Sequence, residues 1–95
     1  MDLKNRDAIL AGHVQSAVND FILRAGDNSS LITVSRVEIQ NAGRQAVVFF
    51  SAFPETHSQS ALHFLHNGAG ETSNILQHDY RIDRLPKISF LPEQK

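Results

Sequence analysis

The sequence predicts an α+β fold in the order helix, strand, strand, helix, break, helix, strand, with a three-stranded sheet covered on one face by helices. Three observations predict it. Apolar residues recur at three- and four-residue spacing from about Asp7 to Ala25, which marks a long amphipathic helix. Two strand-like runs follow, Leu31–Ile39 and Gln45–Phe53, separated by turn residues. A second helical pattern is then interrupted by Gly68-Ala69-Gly70 before Pro86 introduces a last strand. One layer of helices buries one face of such a sheet economically.

In the first helix the stripe is Leu10, Val14, Ala17, Val18, Phe21, Ile22 and Ala25, with Gln15, Asp20 and Arg24 opposite. Gly26 stands where a helix C-terminal cap belongs, and Asp27-Asn28-Ser29-Ser30 is turn chemistry. Strict alternation in the first strand puts Leu31, Thr33, Ser35, Val37 and Ile39 on one face and Ile32, Val34, Arg36 and Glu38 on the other. Gln40–Arg44 contains two residues tolerant of positive φ and is long enough for a hairpin with a bulge. The near-continuous apolarity of Gln45–Phe53 predicts a strand covered on both faces or central in the sheet.

Pro54-Glu55 is placed to open the second helix, whose core face is Ala61, Leu62 and Leu65 with Phe64 beside them. Glu71 to about His78 reads as a third helix with Ile75 and Leu76 inward, and its acid suits the first turn. Tyr80–Leu85 follows neither period. Lys87–Leu91 is the final strand, stopped by Pro92.

The 95 residues, 41% of them hydrophobic, are enough for one modest core, so residues 1–95 are expected to form a single domain. The longest apolar run, Ala46–Phe50, is far short of the ~20 residues of a membrane span, and no membrane association is expected. The absence of cysteine excludes a disulfide framework, a thiolate zinc site and a cysteine nucleophile together. The N-terminal residues lack an apolar signal core and carry too many acids for a transit peptide, so a cytoplasmic location is expected. Nine Lys+Arg against ten Asp+Glu give a net charge of −1, and between Gly68 and Lys95 four basic residues meet four acids. Any basic surface must therefore be assembled by folding.

The element order and four segments in it resemble the ribosome-binding factor A family. Leu31–Glu38 is similar to that family's first strand and Ala46–Phe53 to its second. Gly68-Ala69-Gly70 falls at the family's small-residue kink, and Leu85–Phe90 resembles its closing segment, with proline immediately before the last strand. The match runs from roughly Asp7 to Glu93. The resemblance implies a type II KH-like domain that binds the immature small ribosomal subunit and contacts its rRNA. It implies a role in late maturation and in processing the 5′ end of that RNA, with no catalysis. Relatives are commonly basic around the third helix and last strand, whereas Glu71, Gln77, His78, Asp79 and Asp83 dilute that character here.

The candidate RNA contacts are Arg36, Arg44, Arg81, Arg84 and Lys87, because phosphates are recognised by cationic donors. The bland alternative pairs Arg81 and Arg84 with Asp79 and Asp83 as surface ion pairs worth ~0–1 kcal/mol. Gly68, Ala69 and Gly70 admit two readings, a phosphate clamp made of free amides or a purely structural kink. The turn is shorter than that of a conventional KH loop, and Glu71 would repel a phosphate there. His63 and His66 lie at i and i+3 with His57 upstream, but a zinc site wants a further ligand held by a second shell, so no metal is expected. No nucleophile elbow, phosphate loop or dinucleotide fingerprint is present, so neither an enzyme activity, a cofactor nor a small-molecule substrate is expected. Strand-borne phenylalanines read as core, and Tyr80 as the exposed aromatic. A monomer is the simpler expectation. The competing function is a KH-like protein-interaction module without RNA binding, which the near-neutral charge suits.

Overall fold

In the computed structural model, which describes residues 3–26 and 31–93, helix α1 spans Leu3–Ala25. It starts before Asp7 because an apolar stripe marks only the part of a helix that meets the core. Val14, Ala17 and Val18 are fully buried, and Phe21 nearly so. Leu10 and Ile22 flank them half-buried, while Ala25 is exposed and lies off the core. The Gly26 amide donates to the Ile22 carbonyl at 2.8 Å and closes the last turn, as a cap should. The turn assigned to Asp27–Ser30 lies outside the described residues.

Strands β1 (Leu31–Gln40) and β2 (Gln45–Phe53) form an antiparallel hairpin, and β3 (Lys87–Pro92) lies parallel to β2 on its other side. The sheet order is β1-β2-β3, so β2 owes its apolarity to being the central strand. Only one of its faces is covered: Ala46, Val48, Phe50 and Ala52 are buried, whereas Val47 and Phe49 are half-buried and Ser51 and Phe53 exposed. Phe49 and Phe53 thus leave the core, contrary to the expectation for strand phenylalanines.

The strict alternation expected of β1 fails at Ser35. Val34 stands opposite Phe50 and Arg36 opposite Phe49, so Ser35 is an extra residue, a β-bulge. Ile32 and Val34 face the helices before it, and Val37 and Ile39 face them after it, opposite Val48 and Ala46. One inserted residue reverses the side-chain parity, which is why Leu31 and Val37 end on opposite faces. The bulge lies within the strand, while the hairpin turn is a separate feature with Asn41, Ala42 and Gly43 at φ 53°, 54° and 87°. Deleting Ser35 closes the ladder without changing the facing of any neighbour. We expect this deletion to shift stability by no more than about 1 kcal/mol, read by thermal unfolding, although single-residue strand deletions usually invert a face.

Pro54 precedes the helical segment instead of opening it. A 3₁₀ turn, Glu55–His57, leads into α2 (Ser58–Asn67), and α3 (Ala69–Asp79) begins two residues earlier than Glu71. The break between α2 and α3 is therefore Gly68 alone. Phe50, Leu65, Leu76, Val14, Val18 and Val48 are the largest fully buried apolar side chains, joining the covered sheet face to all three helices.

Candidate nucleic-acid interface

Arg36 lies on the open face of the sheet because the bulge at Ser35 directs it away from the helices. Its guanidinium carbon sits 4.0 Å from the centroid of the Phe49 ring, a cation–π contact. The same guanidinium pairs with Glu38 and, at 3.5 Å, with Glu93. This cation is neutralised within the fold and stands apart from the other candidates.

Arg44, Arg81, Arg84 and Lys87 come together at one end of the sheet. The Lys87 amide donates to the Arg44 carbonyl at 2.8 Å, and Lys87 pairs with Gln45, so the hairpin turn and the start of β3 are adjacent. Arg81 and Arg84 line a cleft of about 520 Å³ together with Gly43 of that turn and with Arg6 of α1. These four cations are exposed. Among the described residues none of them has a carboxylate oxygen within ion-pair distance, and Asp79 pairs instead with Arg24 at 3.5 Å. The alternative pairing of Arg81 and Arg84 with Asp79 and Asp83 is thus not what the fold forms among the described residues.

The loop is shaped by backbone bonding. The amides of Tyr80 and Ile82 both reach the Leu76 carbonyl, at 3.3 and 3.2 Å, while Arg81 takes φ 55°. Ile82 packs against the core, and Arg81 and Asp83 on either side of it are exposed. Positive φ in a residue other than glycine costs on the order of 1 kcal/mol, so the surrounding contacts hold Arg81 there.

The kink takes no part in lining this cleft. Gly68 is buried, and a Cβ placed on it would come within 1.9 Å of the Phe21 ring. Phe21 in turn stacks on Phe64 with centroids 5.0 Å apart. The Gly68 carbonyl accepts the amide and the hydroxyl of the buried Thr72, at 3.0 and 3.1 Å, and so ties α2 to α3. Gly70 has open space where a Cβ would stand.

Sequence reasoning missed Arg6, Asp7 and His13, which all line the cleft. The spacing of Arg6, Leu10 and His13 by four and three residues was the available signal, because it places them on one helix face. Tyr80, expected to be exposed, is half-buried with its ring 5.1 Å from that of His13. His63 and His66 are exposed, and the described residues contain no group of three potential metal ligands among His, Cys, Asp and Glu. Among them, too, no helix is long and apolar enough to cross a membrane.

No protein-family model and no curated protein matches the sequence. Solved structures do match. The crystal structure of ribosome-binding factor A from Thermus thermophilus superposes with a TM-score of 0.77 at 29% identity, over 90% of this chain and 93% of that one. A homology model of ribosome binding factor A of the same organism, fitted into a cryo-EM map of its 30S complex, gives 0.71 at 28% identity over 85% and 88%. An NMR structure of a Thermotoga maritima protein described as a candidate ribosome binding factor A gives 0.75 at 24% identity over 94% and 88%, a likeness of fold. The α+β fold and the resemblance to the ribosome-binding factor A family read from the sequence are thus matched in three dimensions over most of the chain.

Proposed function

We propose that this chain binds the immature small ribosomal subunit through its rRNA, and assists late maturation and 5′-end processing of that RNA by binding energy alone, without catalysis. The observation that carries this reading is the gathering of Arg44, Arg81, Arg84 and Lys87 at one end of the sheet, free of ion pairs among the described residues. Backbone recognition of RNA needs such unengaged cations, and a net charge of −1 is compatible with it once the charges are unevenly distributed. The likeness to a factor fitted into a 30S complex supports the same partner. In this reading Arg36 holds the open sheet face together, and Gly68-Ala69-Gly70 shapes the helix junction.

A second reading, the protein-interaction module without RNA binding, draws on a different place. Leu31 and Phe53 are cross-strand partners exposed at 67% and 73%, beside a cleft of about 590 Å³ that Glu55 and Glu93 also line. Sedimentation separates the two. We expect the protein to travel with small subunits at low salt and to dissociate steeply as salt rises, because each phosphate contact releases bound counterions. Recovery in the ribosome-free fraction alone, or binding indifferent to salt, would favour the interaction module.

A further inference from the structure

We propose that the cleft between α1 and the segment after α3 takes one unpaired guanine from a single-stranded stretch of RNA; this deepens the rRNA-binding reading above. The clue is two carboxylates where a pure phosphate site should have none. Asp7 and Asp83 line the same cleft as Arg81 and Arg84. Among the described residues neither acid belongs to an ion pair. Both repel phosphate, so an RNA held by the arginines gains by offering them hydrogen-bond donors.

An ionised carboxylate only accepts, and RNA donates through base N–H groups and ribose hydroxyls. Guanine presents N1–H and the N2 amine side by side, which matches the two oxygens of one carboxylate. Uracil presents a single N–H flanked by two carbonyls that a carboxylate repels. Leu10 and Ile82, both half-buried in the same lining, supply apolar contact for the faces of a base. The volume of about 520 Å³ falls within the ~300–1,000 Å³ of sites that enclose a small organic group. A base stacked in a duplex cannot enter such a cleft, whereas an unpaired one can turn into it with its phosphates left at the arginine rim.

The test is fluorescence anisotropy of the 95-residue chain with uridine heptamers at one fixed salt concentration. The heptamers carry guanine, inosine or uracil at the central position. We expect guanine to bind about ten-fold more tightly than uracil, the discrimination typical of one good bidentate contact, with inosine between them for want of the N2 amine. In the doubly substituted Asp7→Asn, Asp83→Asn protein the advantage of guanine should vanish while the all-uridine heptamer binds at least as well as before. Equal binding of guanine and uracil heptamers overturns the guanine site and leaves general rRNA binding standing, as does a guanine preference that survives both substitutions. Failure of every heptamer and of small-subunit RNA to bind overturns both readings.

Discussion

Replacing Gly68 with alanine is expected to destabilise the protein by about 2–3 kcal/mol, the upper part of the range for overpacked cores. The added methyl would lie 1.9, 2.4 and 2.5 Å from three atoms of the Phe21 ring. That ring cannot step aside cheaply, because it is 4% exposed and already stacked on Phe64. Relief requires either the ring to leave the core or α3 to swing away from α1. For a chain of this size the loss corresponds to a fall in Tm of roughly 10–20 °C. Gly70→Ala should do the opposite. Its Cβ would meet nothing, and a helical glycine replaced by alanine stabilises by ~0.5–1 kcal/mol. Phe21→Leu should recover part of the Gly68→Ala loss, so that the double variant is more stable than the sum of the two changes. Equal and small effects at both glycines would show that the junction is not packed as described.

Reversing two charges, Arg81→Glu with Arg84→Glu, is expected to weaken binding to small-subunit RNA about 100-fold and to lower the slope of log affinity against log salt by about 2. Both side chains are exposed and outside the core, so the unfolding midpoint should barely move. Arg36→Glu is the informative comparison. It breaks the contacts with Phe49, Glu38 and Glu93 on the open sheet face, yet should leave RNA affinity within a few-fold. An Arg36→Glu protein that loses RNA binding as severely as the double reversal would place the docking surface on the sheet instead of at its end.

Much of the fold was legible because periodic burial writes itself into a sequence. Val14, Ala17, Val18 and Phe21 announced α1, and β2 announced its central position by its apolarity. The bulge at Ser35 is written only as a change of parity, from Ile32 and Val34 to Val37 and Ile39 across two polar residues, which strict alternation from Leu31 ignores. The exposure of Phe49 and Phe53 was not legible, because composition shows that a strand is apolar, not which face the helices cover. At the candidate site, Arg44, Arg81, Arg84 and Lys87 were chosen by charge, and only the fold separates them from Arg36, whose guanidinium is consumed by a ring and two carboxylates. Helix spacing puts Arg6 on one face with Leu10 and His13, but its importance, like that of Asp7, comes from a loop more than seventy positions away in sequence.

The parallel placement of β3 beside β2 has a consequence for when this protein becomes competent. The basic end is built from residues near position 6, near 44 and from 81 to 87, three stretches that lie together in the completed fold, with Lys87 placed there by β3. On the proposed reading, a chain whose closing strand has not docked lacks the completed basic end and would bind rRNA weakly. By mass action, RNA bound there would stabilise the completed fold alone, by about 2.7 kcal/mol when free RNA exceeds its Kd a hundredfold. Occupancy and resistance to unfolding should rise and fall together.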